Sequence, residues 1–338
     1  MSLSGWKQLE CFAYWHTRVI SAPYGKFLWG LGEAGETELM NVAPLYVVDR
    51  APIDWYAEVP LRGKRQVDLS AQYVGTTFYK ENVLAGRSVE SEGAFFHFYT
   101  QALAKEKESL PSICSLYLEA DVRENQTPKI SSFINLAGDM VRKLLPSLLK
   151  WRGREPETGP VLTWLEKMRP WCEPWHIGFM EARNGHPLRL VLLLKHGLSD
   201  IPVILEKGGG EPLGKAPWLL LQKLGNDTAF DYMLDLDIFP DGTLGNTVGL
   251  EFIPKDVVWP KDQKLWTETT AYQDFIGCLR AEGYADDRVK ALPGAIFTQE
   301  LSDHTTLHSR ISHFKLRWKS GIPMAAKVYV QTRAISSQ

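Results

Sequence analysis

Apolar and polar residues alternate one by one along several segments of this 338-residue chain, and these segments come in pairs joined by turn residues. In the first pair, 54–60 and 66–74 flank the sequence LRGKR. Successive side chains of a β-strand point to opposite faces, so a period of two predicts half-buried strands in antiparallel hairpins. The same pattern recurs in three further pairs: 175–183 with 188–195, the two halves of 231–254, and 310–318 with 324–332.

Segments with helical periodicity separate the hairpins. The clearest helix is predicted at 131–149, where Phe133, Met140 and Leu144 belong to one continuous apolar stripe. Pro146 is expected to end or bend this helix. Further helices are predicted at 88–105, 160–168, 269–282 and 285–292, and a single strand is predicted at 112–122.

The order of these elements predicts an α+β fold. Every connection is short enough for antiparallel neighbours, and no β-helix-β spacing indicates a parallel sheet. We therefore predict a large antiparallel sheet of hairpins, with roughly eight to ten strands and helices packed on its apolar face. Closure into an α-β-β-α type barrel would remove the edges of so wide a sheet. On this interpretation 1–338 is a single large α+β domain, and a subdomain boundary would fall near 151–159.

The composition narrows the classes of partner and compartment. A formal net charge of −2 gives no reason to expect nucleic acid or an anionic membrane as partner. The four cysteines are scattered without a C-x-x-C motif, as in proteins of a reducing compartment. The first twenty residues lack the apolar core of a secretory signal, and no apolar run is long enough to span a bilayer. We expect a cytoplasmic protein that needs no cofactor.

Two short motifs resemble ligand sites but have simpler explanations. The segment 209–216, GGEPLGKA, matches the phosphate loop G-x-x-x-x-G-K without its final Ser or Thr. Because no parallel β-α context surrounds it, a flexible connection is the better interpretation. His304 and His308 would share one face of a helix, but the sequence specifies no third ligand, so no metal site is predicted.

Three carboxylates fall within the hairpin predicted at 231–254. Asp235 and Asp237 project to one face of the first strand, and a turn centred on Pro-Asp-Gly places Glu251 on the same face. The spacing of a calcium-binding loop is not met, because Phe239 stands where a third ligand should be. The acids are therefore interpreted as the polar face of a hairpin.

The last hairpin carries a basic counterpart to this acidic face. His313, Lys315 and Arg317 alternate with apolar residues on one strand, and Lys327 and Tyr329 do so on the other. With the turn at 319–322, Lys315 is predicted to face Lys327, and His313 to face Tyr329. Like charges directly opposite on paired strands repel each other. This face is therefore either solvated or used to bind an anion.

Several stretches resemble a group of bacterial proteins associated with clusters for ribosomally made, post-translationally modified peptides. They are PWHIGFMEARNGHPLRLVLLL, LDLDIFPDGTLGNTVGLEF, RISHFKLRWKSGIPMAAKVYV and, in addition, DWYAEVPLRGKRQVDLSAQY. The named proteins that they resemble are the peptide-binding proteins of the crocagin pathway. This resemblance implies a precursor peptide as ligand and a modifying enzyme as partner, with a homodimer as one arrangement.

The chain also resembles the α-β-β-α barrel prenyltransferases, including those that modify cyclic peptides. This resemblance implies a ring of strands around a polar and aromatic lumen, with Lys, Arg and Tyr gripping a diphosphate. The residues that would grip it are His313, Lys315, Arg317, Lys327 and Tyr329. The candidates for a base are Asp235, Asp237 and Glu251.

Two functional hypotheses follow. The first is a peptide-binding accessory protein that presents a precursor peptide to a partner enzyme, because the chain has twelve Trp and no catalytic signature. The alternative is an aromatic or peptide prenyltransferase that uses a prenyl diphosphate in a barrel lumen. Both hypotheses place the substrate against the acidic and basic faces just described, and the sequence assigns no catalytic residue.

Overall fold

A computed structural model describes most of the chain from Asp54 onward. The described residues are 54–63, 68–74, 115–120, 130–135, 140–180, 185–226, 228–257, 260–300, 305–324 and 326–336. The helix predicted at 88–105 lies outside them.

Twelve strands occur in the described part of the chain, and all of their pairings are antiparallel. They are β1 (Asp54–Pro60), β2 (Asp68–Val74), β3 (Ser115–Ala120), β4 (Ile130–Asn135), β5 (Cys172–Phe179), β6 (Leu188–Leu194), β7 (Phe230–Ile238), β8 (Leu244–Pro254), β9 (Phe297–Glu300), β10 (Thr305–Lys319), β11 (Ile322–Pro323) and β12 (Lys327–Ser336).

Ten of the described strands close into a ring. Strands β1 to β8 pair in chain order, β8 pairs with β10, β10 pairs with β12, and β12 pairs with β1. The short strands β9 and β11 pair with the two ends of β10. Every strand of the ring therefore has a neighbour on both sides, which leaves no open edge. The antiparallel sheet predicted from the sequence is confirmed, and it takes the closed form.

The helices of the described part lie on the outer face of the ring. They are α1 (Met140–Trp151), α2 (Thr158–Met168), α3 (Asp200–Gly208), α4 (Lys215–Leu224), α5 (Pro260–Thr267) and α6 (Thr270–Ala281), followed by a 3₁₀ segment at Asp287–Ala295. None of these helices is long and apolar enough to cross a bilayer.

A continuous apolar core fills the layer between the helices and the sheet. The ring of Phe275 on α6 packs against Phe230, Phe252 and Phe314, with centroids 4.8, 5.2 and 5.1 Å away. These three belong to the outward-facing half of their strands and are fully buried. Burying one such side chain stabilises the fold by about 1.5–3 kcal/mol. The outward residues of these three strands thus belong to the core, and the residues that alternate with them face inward.

The segment predicted as one helix at 131–149 consists of a strand followed by a helix. The prediction was therefore wrong for the first part of the segment. Ile130–Asn135 forms β4, and α1 begins at Met140. Phe133 belongs to the strand, where it faces the lumen rather than the helix stripe. Pro146 does not end α1, because the buried residues on both sides of it, such as Leu145 and Leu148, anchor the helix against the core.

Three helices of the described region were not predicted: α3, α4 and α5. The Gly-rich segment 209–214 connects α3 to α4, and Gly209 ends α3 with a positive φ of 81°. A phosphate loop needs a preceding strand, so this position supports the interpretation as a connection. The helix predicted at 285–292 is instead the 3₁₀ segment Asp287–Ala295.

The hairpin predictions agree with the structure in detail. Lys315 pairs with Lys327 and His313 with Tyr329, as the turn position predicted. The hairpin between β7 and β8 turns at Gly242, whose φ of +83° suits glycine. The strand predicted at 112–122 is β3.

Candidate functional site

The inward halves of the ring strands enclose a cavity of about 210 Å³. We call the space inside the ring the lumen. All ten ring strands contribute to the lining of the cavity, which consists of Tyr56, Ser70, Tyr117, Glu119, Phe133, Trp175, His176, Val191, Met233, Glu251, Ile253, Ser312, His313, Lys315 and Tyr329. The alternation of polar and apolar residues along the strands thus produces a polar and aromatic interior.

One side of the lumen is an aromatic wall, formed by Tyr56, Tyr117, Phe133, Trp175 and His176 of β1, β3, β4 and β5. The Tyr117 ring lies edge-on to Tyr56 at 5.8 Å and to His176 at 5.2 Å between centroids. Such edge-to-face pairs fix the orientation of each ring. The wall is therefore a preformed surface against which another planar or apolar group can pack.

Gly178 on β5 makes room for one ring of this wall. A Cβ atom on Gly178 would lie 2.6 Å from Cε1 of Phe133 and 3.2 Å from Cβ of Arg189. Both distances are shorter than van der Waals contact. The absence of a side chain at this position allows Phe133 to cross the neighbouring strand and reach the cavity.

The other side of the lumen is a charged wall, formed by Asp235, Glu251, His313, Lys315 and Tyr329 of β7, β8, β10 and β12. The Lys315 ammonium forms an ion pair with Asp235 and lies 3.1 Å from Oε1 of Glu251. All three side chains are buried. Two carboxylates therefore share one ammonium group.

The two carboxylates that share Lys315 differ in proton affinity. Burial, reinforced by the charge of Asp235, raises the pKa of Glu251 to about 7. Burial also acts to raise the pKa of Asp235, but Lys315 and Arg189 outweigh it and hold that pKa below its ordinary value. A carboxylate with a pKa near neutrality is suited to accept a proton from a substrate.

The two histidines of the lumen are neutral. Burial lowers the pKa of His176 to about 4, and burial together with Lys315 lowers the pKa of His313 to about 3. The His313 ring stacks on Tyr329 at 4.0 Å, and its Nε2 lies 3.7 Å from Glu251. Its Nδ1 is 3.0 Å from the Ser312 hydroxyl. A histidine with so low a pKa is a weak base at neutral pH.

A second buried cluster surrounds Glu58 of β1. The Glu58 carboxylate accepts hydrogen bonds from the Lys327 ammonium and from the Tyr329 hydroxyl. Asp68 lies 3.8 Å from the same ammonium. Lys327 therefore faces Lys315 across two paired strands while its charge is balanced by carboxylates of β1 and β2.

Arginines occupy the next layer of the lumen. The Arg189 guanidinium donates two hydrogen bonds of 2.9 Å to Asp237. Arg317 lies next to this pair, and burial together with the charge of Arg189 lowers its pKa. In the part of the chain that the structure describes, Arg317 forms no ion pair with a carboxylate. It is thus the cation of this layer whose charge is least compensated.

The structure brings the predicted site residues together in the lumen. Four of them, Glu251, His313, Lys315 and Tyr329, line the cavity itself. The other four, Asp235, Asp237, Arg317 and Lys327, lie on the same inward face and take part in the clusters just described. Their role in substrate binding stays a prediction.

Sequence reasoning missed the aromatic wall, together with Glu58 and Arg189. The same period-two rule that located Asp235 and Lys315 applies to these residues, because each occupies an inward position of its strand. Tyr56 and Glu58, for example, alternate with core residues of β1. What the pattern did not reveal is which hairpins share one interior.

The arrangement can bind a ligand that has both an aromatic or apolar part and a polar part. The aromatic wall offers stacking and edge contacts. The charged wall offers a proton acceptor, Glu251, beside fixed cations. Among the described residues no group of three His, Cys, Asp or Glu side chains is arranged to hold a metal ion.

No protein-family model matches the sequence, and no curated protein is significantly similar to it. Solved structures, by contrast, are similar over almost the whole chain. The apo form of the prenyltransferase PriB is 13% identical, with 96% of each chain covered and a TM-score of 0.59. The 6-dimethylallyltryptophan synthase from Micromonospora olivasterospora is 13% identical, with 97% of each chain covered and a TM-score of 0.54.

A third similar structure is the 5-dimethylallyltryptophan synthase from Streptomyces coelicolor, at 11% identity. The match covers 98% of this chain and 97% of the synthase chain, with a TM-score of 0.54. At such low identity the likeness concerns the fold. The chain has the barrel fold of the aromatic prenyltransferases.

Proposed function

We propose that the protein transfers a prenyl group from a prenyl diphosphate to an aromatic acceptor within the lumen. The observation that carries this proposal is the cavity in which the aromatic wall stands against the charged wall inside a closed ring of ten strands. The surrounding strands shield the cavity from part of the solvent, which would otherwise capture a reactive prenyl cation. The likeness in fold to aromatic prenyltransferases supports the same reading.

The residues of the lumen can be given roles in this reaction. The bond between the first prenyl carbon and the diphosphate oxygen breaks, and its electron pair leaves with the diphosphate. A carbon of the acceptor ring forms the new carbon–carbon bond. The proton displaced from that ring carbon passes to the Glu251 carboxylate, whose pKa of about 7 suits a base. In this proposal Arg317, on the inward face of β10, contacts the departing diphosphate.

The aromatic wall would hold the two apolar partners in contact. Tyr56, Tyr117 and Phe133 offer ring faces and edges to an acceptor ring and to a prenyl chain. Positive charge developing on the prenyl carbon is attracted to such ring faces. PriB has been solved in a ternary complex with L-tryptophan and dimethylallyl thiolodiphosphate. Tryptophan and dimethylallyl diphosphate are therefore the first pair to test here.

The test is an end-point assay by liquid chromatography and mass spectrometry. The purified protein is incubated with dimethylallyl diphosphate and, in separate reactions, with L-tryptophan, L-tyrosine and a Trp-containing peptide. We expect an acceptor heavier by one isoprene unit, and loss of that product in Glu251→Gln. Lys319→Gln is the matched control, because Lys319 is an exposed residue of the same strand as Lys315 and Arg317. Absence of prenylated product from all acceptors would contradict the proposal.

One observation favours a second candidate, the binding of a precursor peptide without bond formation. Lys315, Lys327 and Arg189 are already balanced by carboxylates, so these three cations do not need an anionic ligand. A neutral peptide side chain fits such an interior as well as a diphosphate does. A precursor peptide that raises the melting temperature, while dimethylallyl diphosphate and pyrophosphate leave it unchanged, would support this candidate instead.

A further inference from the structure

The ion pair between Asp235 and Lys315 crosses over a glycine. Asp235 of β7 pairs with Gly249 of β8, and the next inward residue of β8, Glu251, pairs with Lys315 of β10. A Cβ atom on Gly249 would lie 3.0 Å from Cβ and Oδ2 of Asp235 and 3.2 Å from Cε of Lys315. The missing side chain therefore opens the path along which the ammonium reaches Asp235.

Asp235 lies among more cations than Glu251 does. The Lys315 ammonium forms ion pairs with both carboxylates, and its hydrogen bond of 3.1 Å goes to Glu251. Gly249 pairs with Asp235 on one side and with Arg317 on the other, so the charge of Arg317 also acts on Asp235. Both carboxylates are at most 8% exposed. Because one ammonium cannot neutralise two buried carboxylates, the carboxylate that has fewer cations around it has the stronger tendency to take up a proton.

The groups around Glu251 come from five other strands. They are Asp235 on β7, Lys315 and His313 on β10, Arg189 on β6, Tyr329 on β12 and His176 on β5. The histidines are neutral and the tyrosine is a phenol, because burial raises its pKa well above the ordinary value. Asp235 is therefore the negative charge that acts on Glu251 most directly, and Lys315 is the positive charge for which the two carboxylates compete.

We propose that Asp235 is a positioning residue, which holds the Lys315 ammonium across Gly249 and thereby leaves Glu251 free to accept a proton. A role of Asp235 in catalysis rests on the proposed function, in which Glu251 is the base. Asp235 itself does not touch the substrate in this account. A second consequence is that two carboxylates already balance the charge of Lys315, so Arg317 rather than Lys315 makes the principal contact with an anion.

The experiment follows the protonation of Glu251 by NMR in protein labelled with ¹³C at the side-chain carboxyl groups, with Glu251→Gln assigning the signal. In the unmodified protein Glu251 should titrate near neutrality and Asp235 should remain ionised. In Asp235→Asn the ammonium interacts with Glu251 as its one remaining carboxylate, and the pKa of Glu251 falls. Asp235→Glu, which keeps the charge, should restore the original titration.

Asp231→Asn is the matched control, because Asp231 is a carboxylate of the same strand that is largely exposed and pairs with Lys255. It should leave the titration of Glu251 unchanged. If Asp235→Asn does not fold, Gly249→Ala provides the second variant. Its methyl group separates Asp235 from Lys315 while both charges remain, and the pKa of Glu251 should again fall.

An unchanged pKa of Glu251 in Asp235→Asn or Gly249→Ala would overturn the inference, and so would titration of Asp235 in place of Glu251. These measurements need no turnover. A protein that shows the predicted titrations but no prenyl transfer would contradict the proposed function and leave the positioning of Lys315 intact. Where transfer is observed, the rise in rate with pH should move to lower pH in Asp235→Asn.

Discussion

Lys315 and Lys327 lie directly opposite each other on β10 and β12, yet carboxylates from three other strands balance the charges of their ammonium groups. Asp235 and Glu251 balance Lys315, and Glu58 balances Lys327. The repulsion expected from the sequence is therefore resolved inside the protein. The charged side of the lumen is a preorganised network rather than a solvated surface.

Glu58→Gln should destabilise the fold. It leaves the Lys327 ammonium with only the more distant Asp68 and removes the acceptor of the Tyr329 hydroxyl. Loss of one partner from a largely buried ion pair should lower the free energy of unfolding by about 2 kcal/mol, since Lys327 keeps some contact with water. Urea denaturation measures the change.

Glu282→Gln is the control for Glu58→Gln. Glu282 pairs with Lys223 on the surface, where both side chains are well exposed. Its loss should have a much smaller effect on the free energy of unfolding, because water screens an exposed ion pair. Equal effects of the two variants would show that Glu58 is not part of a buried network.

Arg317→Gln should weaken the binding of inorganic pyrophosphate by about 10-fold, because a charge-assisted hydrogen bond to an anion is worth roughly 1.5–3 kcal/mol. Isothermal titration calorimetry measures the affinity. Lys319→Gln, which removes an exposed cation from the end of the same strand, should leave the affinity unchanged. If Lys315→Gln weakened binding more than Arg317→Gln, the assignment of Arg317 as the principal anion contact would be wrong.

Glu251 should make stability depend on pH. Its pKa is raised from 4.5 to about 7, so the folded protein binds a proton that the unfolded chain releases. Stability contributed by the protonated group is present below pH 4.5 and is lost as the pH rises through 7. The free energy of unfolding should fall by about 3 kcal/mol over this range, compared with a protein in which this group does not titrate.

Glu251→Gln isolates this contribution. As the pH rises across that range, the free energy of unfolding of the wild type should fall relative to that of Glu251→Gln. Urea denaturation at several pH values measures the difference. A difference that does not vary with pH would mean that Glu251 does not take up the proton.

Gly178→Ala should strain the aromatic wall. The added methyl group would lie 2.6 Å from the Phe133 ring, and overpacking of this kind costs about 1–3 kcal/mol. The smaller side chain of Phe133→Leu should relieve the strain, so the double variant should be more stable than the sum of the two single effects predicts. A thermal or urea double-mutant cycle measures the coupling. Additive effects would show that the two residues do not press on each other.

The sequence was most informative where a hairpin has a short turn. The period of two and the position of the turn were enough to predict that Lys315 faces Lys327 and that His313 faces Tyr329, and both pairings are confirmed. The turn fixes the register of two strands that are adjacent in the chain. The acidic face with Asp235 was located for the same reason.

The sequence was least informative about neighbours that are distant in the chain. The contact between Asp235 and Lys315 depends on the pairing of β8 with β10, which joins segments separated by two helices. No local pattern specifies that closure. Phe133 was predicted to lie in a helix because the apolar residues of β4 continue the helical spacing of the apolar residues in α1. The structure shows that β4 and α1 are separate elements. The helix α3 shows the opposite case, since Ile201, Ile204 and Leu205 have helical spacing that could have been recognised.

The most direct test of the central claim asks whether prenyl transfer takes place in the lumen. Val191 lines the cavity and is buried, so Val191→Trp would fill the space between the two walls. Leu219→Trp places the same side chain at an exposed position of α4. Mass spectrometry of the acceptor should show prenylated product with wild type and Leu219→Trp, and none with a folded Val191→Trp protein. Product formed by Val191→Trp at the wild-type rate would contradict the claim that the lumen is the site of reaction.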